Sequence, residues 1–307
     1  MSPIETSRAG GTARVFRVPS TSGSRLVLEL GDEHYDLSHG FEHSRHGDLL
    51  ELVSRGFFDQ LAAHGEGALA RRTRALAPAQ VLTPFEPRHI GKILALSRPP
   101  RELFEREAAG DGARWFSNRS PASLAGNGAW LELGELDPVD KPEPAIVQHE
   151  CFLALVISRR ASGLDLAGAA QAVAGAMLAS DFSRRTLDGR PRTAWFGESH
   201  GGMLALGPAF VPRDSLDLST VHASVQRLRD GRVEREFSRF ADLSTDVPLA
   251  VAALSRLAIL HPGDLVLIPL GLGLGAVDAG DEIRCQLDGI GELVTNLRRR
   301  ARLRQQA

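Results

Sequence analysis

The residues best placed to do chemistry in this sequence lie within positions 145–208. The run AIVQHECFLALVIS indicates a buried strand, because it is short, rich in branched apolar residues and followed by a turn. Residues i and i+2 of a strand share a face, so Glu150 is expected beside Phe152, with His149 on the opposite face as a core or interface histidine. A charge among apolar neighbours is costly unless something pairs with it. The pattern therefore predicts a partner for Glu150.

More ionisable side chains follow at Asp181, Arg185, Glu198 and His200. His200 lies in the glycine-rich stretch 199–202, and histidine gains or loses a proton near neutral pH, so it is a candidate acid or base. Charged residues within folds are more often paired than catalytic. Asp181 and Arg185 could therefore form a structural ion pair, and Glu198 could pair with Arg185.

The elements that must position these residues fall into two parts. Three short alternating runs within 13–37 predict a small antiparallel sheet. Residues 48–63 have apolar positions at helical spacing after an Asp suited to capping, which predicts a helix. Together they predict a small N-terminal α/β module of residues 1–80, and prolines within 77–87 favour an extended connection to the rest.

Residues 81–307 are predicted to form a β-rich core domain. The Ala-rich stretch 164–179 predicts a buried helix, and Ser162 to Asp165 before it resemble a capping box. A second helix is predicted over 247–260. Several strands around few helices, without βαβ alternation, predict an α+β fold of mixed sheets rather than a doubly wound sheet.

The composition of the 307 residues excludes several classes of function. The hydrophobic content of 43% and charged content of 24% are typical of a globular protein. The formal charge of −2 gives no electrostatic reason to expect a nucleic-acid or membrane partner. The N-terminal residues lack the apolar run of a signal peptide, and Cys151 and Cys285 suit a reducing compartment. A cytoplasmic location is therefore expected.

The order of motifs along the chain resembles that of the fumarylacetoacetate hydrolase family. The Glu150 strand is followed by an Asp-x-x-x-Arg segment at Asp181 and Arg185 and by Gly207-Pro208. Further matching segments are VLTPFEPRHIGKIL at 81–94, Pro262-Gly263-Asp264, Gly273, Gly275, Gly280-Asp281, and Gly289-Ile290-Gly291 with Asn296. The resemblance covers nearly the whole chain. It implies the family's core of mixed sheets with few helices, the small N-terminal module, and a homodimer.

The resemblance also implies a metal chemistry, from which this sequence departs. In members that cleave β-dicarbonyl acids, acidic side chains hold Mg²⁺, Mn²⁺ or Ca²⁺, a His activates water, and a Lys stabilises developing negative charge. Glu150 and Asp181 match metal ligands, but Phe152 replaces the remaining strand carboxylate. Glu198 replaces the lysine of a Gly-Lys-Ser turn. The segment that usually carries the His reads Pro99-Pro100-Arg101-Glu102-Leu103, and the Thr-Gly-Thr-Pro turn reads Ile268-Pro269-Leu270-Gly271.

These departures favour a divergent member that binds a small organic acid or carbonyl compound without the usual metal-dependent C–C hydrolysis. Loss of a general base typically costs roughly 10²–10⁴-fold in rate. If the protein is an enzyme, a hydrolase- or lyase-type activity on a small carbonyl or dicarbonyl acid is expected, with Glu198 and His200 as catalytic residues. No cofactor is expected. The predicted lining of the substrate pocket is Phe152, Arg185, Ile268 and Leu270.

Two alternatives stay open. One is a non-catalytic pseudoenzyme or scaffold that acts through its dimer surface, with the former site filled by apolar side chains. The other is a C–C bond hydrolase with a rebuilt Mg²⁺ or Mn²⁺ site, in which Glu198 joins Glu150 and Asp181, assisted by His200 or His149.

Overall fold

The computed structural model describes residues 12–21, 23–37, 49–59, 81–102, 116–133, 145–186 and 201–299. Their strands are β1 Arg14–Ser20, β2 Gly23–Leu30, β3 Glu33–Asp36, β4 Ile93–Leu96, β5 Phe116–Arg119, β6 Leu124–Ala125, β7 Ala129–Leu133, β8 Ala145–Ile157, β9 Val173–Thr186, β10 Leu204–Pro212, β11 Val221–Arg229, β12 Arg232–Ala241, β13 Leu265–Val277, β14 Asp281–Leu287 and β15 Gly291–Arg299. The α-helices are α1 Leu49–Ser54, α2 Leu166–Gln171 and α3 Asp246–Leu257, and short 3₁₀ helices span Pro87–His89, Pro121–Ser123 and Arg213–Ser215.

The strands form two mixed sheets. The larger has the order β3-β2-β1-β10-β9-β8-β13-β4-β5, with β6 pairing with β10, and the smaller has the order β12-β11-β14-β15-β7. Parallel pairs (β13 with β4, β10 with β6, β15 with β7) occur among otherwise antiparallel neighbours. The predicted β-rich α+β fold with few helices is confirmed.

The two faces of β8 contribute to two different cores. Its odd positions from Cys151 to Ile157 pack with α3 and with the smaller sheet. Its even positions, Phe152, Ala154 and Val156, pack with β1, β2 and α1. A strand covered on both faces must be apolar at consecutive positions, which explains the unbroken hydrophobic run in the sequence.

The N-terminal strands β1–β3 extend the larger sheet, because β1 pairs with β10 at Val15 opposite Phe210. Helix α1 begins close to the predicted position 48, and residues 60–63 of that predicted helix lie outside the described residues. The boundary at residue 80 stays a prediction.

The helix predicted over 164–179 is wrong for most of its length. Helix α2 ends at Gln171, and β9 begins at Val173 between β8 and β10. Short runs of small apolar residues have no period that separates a buried helix from a strand covered on both faces. The helix predicted over 247–260 is confirmed as α3, Asp246–Leu257.

Two turn motifs carry buried aspartates that hold neighbouring elements. Asp264 accepts hydrogen bonds from the backbone N–H groups of Lys92 and His261, at 2.9 and 2.8 Å. Its carboxylate also forms an ion pair with the Lys92 ammonium at 2.7 Å. Asp281 accepts from the Arg229 guanidinium and from the backbone of Asp278. These motifs therefore serve the fold, since they join β4 to β13 and β11 to β14.

Within the described ranges, no helix combines the length and the hydrophobicity of a membrane span.

Candidate functional site

Glu150 and Asp181 are direct neighbours across the antiparallel pair of β8 and β9. Residues paired in this way point to the same face, so the structure brings the two predicted metal-ligand positions together. Glu150 is exposed, whereas Asp181 is only 2% exposed. The pair therefore presents one carboxylate to solvent and one in the interior.

Arg119 is the partner of the buried carboxylate, and sequence reasoning missed it. Its Nε donates to Asp181 Oδ1 at 3.0 Å, and its Nη2 donates to Oδ2 at 2.7 Å, which is a bidentate ion pair. Nη1 donates to Ser117 Oγ at 2.6 Å. The predicted ion pair of Asp181 with Arg185 is therefore corrected: Asp181 pairs with Arg119, which lies 62 positions away in the sequence.

The connection from β5 to β6 brings Arg119 to this position. Arg119 ends β5, which pairs with β4 at the far edge of the sheet order. The 3₁₀ turn Pro121–Ser123 follows, and Leu124 of β6 then pairs with Leu204 of β10. Leu204 is itself opposite Asp181. The chain therefore crosses from one end of the sheet to a position close to Asp181.

The predicted pocket residues do not share one face. Phe152, two positions from Glu150, is 3% exposed and packs in the core that includes the N-terminal strands. Ile268 and Leu270 belong to the core on the other side of the sheet. The reason is register: Ile268 is opposite Leu153, an odd position of β8, so it points away from Phe152.

Arg185 lies on β9 opposite Ile146, four positions from Asp181 and so on the same face. Its Nε is buried without a hydrogen-bond partner among the described residues. A buried guanidinium nitrogen with no acceptor costs free energy, so the position suits a ligand that supplies an anionic oxygen.

Glu198 and His200, the predicted catalytic residues, lie outside the described residues. The described chain resumes at Gly201, and Met203 O accepts a hydrogen bond from Phe182 N at 2.8 Å. The backbone that follows these two residues thus lies directly beside Asp181.

A separate group of ionisable side chains lies on the opposite face of β8. His149, Cys151 and Cys285 are buried, with potential ligand atoms all within 4.8 Å of one another. The placement of His149 opposite to Glu150 confirms the predicted alternation.

Comparison with known proteins gives consistent relatives. The family model described as fumarylacetoacetate (FAA) hydrolase C-terminal matches residues 95–298. A maleylpyruvate hydrolase of Aquipseudomonas alcaligenes is 27% identical over 300 residues, covering 90% of this chain and 96% of that protein. The mitochondrial oxaloacetate tautomerase FAHD2A of Bos taurus is 26% identical over 297 residues, covering 92% of this chain and 90% of its own.

Solved structures show the same fold. The maleylpyruvate hydrolase of Sphingobium sp. SYK-6 superposes with a TM-score of 0.69 at 22% identity, covering 94% of this chain and 100% of that one. A second structure of it, in complex with manganese(II) ion and pyruvate, gives a TM-score of 0.67 with the same identity and coverage. Since the family model spans most of the β-rich core and the relatives match over almost the full length, this chain belongs to the fumarylacetoacetate hydrolase family.

Proposed function

We propose that this chain is a divergent family member that binds a small organic acid or carbonyl compound and does not carry out metal-dependent C–C hydrolysis. The observation that carries the proposal is the Arg119 guanidinium bound to both oxygens of Asp181. The ligand class is supported by the relatives, whose names specify maleylpyruvate and oxaloacetate.

The described donor set does not fit the divalent cation seen in the manganese-bound relative. Glu150 and Asp181 supply two carboxylates, and Phe152 supplies no ligand atom. Arg119 already neutralises Asp181, and its guanidinium would repel a divalent ion placed there. Two like unit charges about 4 Å apart repel by roughly 4 kcal/mol at an effective dielectric constant of about 20, and a divalent ion doubles that.

The remaining polar groups suit a ligand that carries its own negative charge. Arg185 offers a guanidinium nitrogen without a partner among described residues, and a carboxylate would satisfy it. The exposed Glu150 carboxylate can accept a proton from a bound carbonyl compound. Glu198 and His200 complete the proposed catalytic set. The reaction class that these groups support is proton transfer or hydrolysis on a small carbonyl acid.

Metal binding is tested by titrating Mn²⁺ into chelator-treated protein by calorimetry. We expect no saturable binding up to millimolar Mn²⁺. The control is Glu150→Gln, which removes an exposed ligand with little risk to folding. Saturable binding in the wild type that is lost in Glu150→Gln and in Asp181→Ala would overturn the proposal. It would favour the rebuilt C–C hydrolase site of Glu150, Asp181 and Glu198.

Ligand binding is tested by thermal shift with pyruvate and oxaloacetate in the presence of chelator. We expect stabilisation that Arg185→Met removes and that the matched exposed control Arg160→Met retains. If neither acid raises the melting temperature of the wild type, the non-catalytic scaffold becomes the better description. Phe152, buried beside Glu150, is the observation that already favours a filled site.

We also propose that the protein is a cytoplasmic homodimer. The edge strand β12 supports an assembly, because all of its residues but the last are exposed, among them Val233, Phe237 and Phe240 at 50%, 45% and 73%. Exposed edges with apolar side chains are usually covered in native proteins. The two unbridged cysteines support a reducing compartment.

A further inference from the structure

The chain's two cysteines meet in the core between the two sheets. Cys151 on β8 and Cys285 on β14 are each 1% exposed, and their Sγ atoms are 2.9 Å apart. They are 134 positions apart in the sequence and carry free thiols. The smaller sheet thus places a second sulfur against the first, on the face of β8 opposite the Glu150 side chain.

Hydrogen-bond donors converge on Cys285. His149 Nε2 lies 3.5 Å from Cys285 Sγ and 2.9 Å from Ser180 Oγ. His149 Nδ1 is buried and has no partner among the residues that the structure describes. An unpaired ring acceptor is easier to tolerate than an unpaired N–H donor. His149 therefore carries its proton on Nε2, where it donates toward Ser180 and Cys285.

These surroundings separate the acidities of the two thiols. Burial raises the pKa of Cys285, but hydrogen bonds from Cys151, His149 and Ser180 act in the opposite direction, and the net effect lowers that pKa. Burial and the hydrogen bond to Cys285 raise the pKa of Cys151 well above its usual range. Cys285 is therefore the more acidic of the two thiols, and Cys151 lies 2.9 Å from it as the second sulfur of the pair. A thiolate beside a thiol is the arrangement from which disulfides form.

We propose that Cys151 and Cys285 form a reversible disulfide that joins the two sheets, with a hydroperoxide such as H₂O₂ as oxidant. The Cys285 thiolate attacks a peroxide oxygen, the O–O bond breaks, and the products are a sulfenic acid on Cys285 and hydroxide. The Cys151 sulfur then attacks the Cys285 sulfur, the S–S bond forms, and the S–O bond breaks as the Cys151 proton leaves with the hydroxyl group as water. Overall, two thiols lose two electrons and two protons, and the peroxide becomes two waters.

The geometry favours a disulfide over a metal held by the same three side chains. Two thiolates on a tetrahedral zinc with bonds of about 2.3 Å lie about 3.8 Å apart, farther than the sulfurs here. A metal on His149 Nε2 would also move the proton to Nδ1, which has no acceptor within the described part of the chain. Metal-bound histidines almost always have such an acceptor.

The bond would link β8, which carries Glu150 and Phe152, to the smaller sheet. It would close a long loop of the unfolded chain, and such closure favours the folded state. Because both sulfurs are buried, oxidation must wait for local opening and is expected to be slow compared with that of an exposed thiol.

The test is a thiol count on the full-length, chelator-treated protein before and after hours of incubation with H₂O₂. With only two cysteines in the chain, the sole intramolecular disulfide is the proposed one. After denaturation in a thiol-reactive dye, we expect the count to fall from two to zero without a disulfide-linked dimer on a non-reducing gel. Dithiothreitol should restore both thiols, and the oxidised protein should melt at a higher temperature.

Variants and competing outcomes separate the proposal from other chemistry. Cys151→Ser and Cys285→Ser leave a single thiol and should show no rise in melting temperature with peroxide. Three outcomes would each overturn the proposal. They are a count that stays at two thiols, a disulfide-linked dimer, and oxidation to sulfinic acid with no disulfide between Cys151 and Cys285. The proposal would also be overturned if the protein as purified contained stoichiometric zinc that protects the thiols from oxidation until a chelator removes the metal. That result would favour a metal site. The wild-type count does not depend on either variant folding.

Discussion

At the scale of residues, Arg119 and Asp181 form a buried ion pair in the candidate site. Both side chains are at most 5% exposed, so each charge depends on the other for compensation. The bidentate geometry satisfies both oxygens of Asp181, and Ser117 satisfies a further donor of Arg119. The guanidinium of Arg119 thus neutralises the Asp181 carboxylate from within the chain itself.

Breaking this pair from one side should be strongly destabilising. Arg119→Met is expected to lower the free energy of unfolding by about 3–5 kcal/mol, because it leaves a buried charge unpaired. The double variant Arg119→Met with Asp181→Leu should lose less than the sum of the two single losses. Urea unfolding measures all three. The exposed pair Arg98–Glu102 is the control, and Arg98→Met should cost no more than about 1 kcal/mol. Additive losses in the double variant would contradict the coupling.

At the scale of elements, the segment before β9 shows how a cap starts a helix and how sheet pairing ends it. Asp165 is the N-cap of α2, and its Oδ1 accepts from Gly168 N at 2.8 Å. The sequence pattern placed Ser162 at the cap and a long helix after it. The helix is only six residues long, because the chain from Val173 pairs with β8 and β10 instead. Sheet pairing over the fourteen residues of β9 outweighs the helix propensity of its alanines.

The cap assignment predicts unequal effects of two similar substitutions. Asp165→Ala should lower the free energy of unfolding by about 1 kcal/mol, since Gly168 N loses its acceptor. Ser162→Ala, at the position that the sequence pattern favoured, should change stability by less than about 0.5 kcal/mol. Chemical denaturation of the two variants side by side measures the difference. Equal losses, or a larger loss for Ser162→Ala, would contradict the cap.

At the scale of the whole molecule, the edge strand β12 of the smaller sheet exposes large apolar side chains. β12 is the edge strand of the smaller sheet, and all of its residues but the last are exposed. Phe240 is 73% exposed and contacts only the ring of His222 among the described aromatic groups. Burial of such a side chain by a second copy would contribute about 1.5–3 kcal/mol on each side.

The proposed homodimer therefore predicts that Phe240→Asp shifts the protein toward monomer. Light scattering coupled to size exclusion, over a range of concentrations, gives the mass directly. The control is Leu166→Asp, an exposed apolar residue in the first turn of α2, where an acidic side chain is tolerated. A monomeric wild type would contradict the dimer. If the protein is a dimer and Phe240→Asp leaves its mass unchanged, β12 is not part of the dimer interface.

The family fold and the local direction of side chains could be predicted from the sequence. The turn motifs with buried Asp264 and Asp281, and the alternation that places Glu150 opposite to His149, follow from neighbours in the chain. Such features depend on backbone geometry over a few residues, which composition and spacing express directly.

The contacts between residues distant in the sequence could be identified only in the folded structure. Asp181 with Arg119 and Cys151 with Cys285 are contacts across 62 and 134 positions. Each depends on which strands become neighbours and on where the connections between strands return to the sheets. The same holds for β9, whose alanines form a strand because β8 and β10 pair with it as its two neighbours in the sheet. Strand alternation has a local period of two residues, whereas strand order and sheet packing come from burial of the whole chain, so no local pattern encodes these pairs.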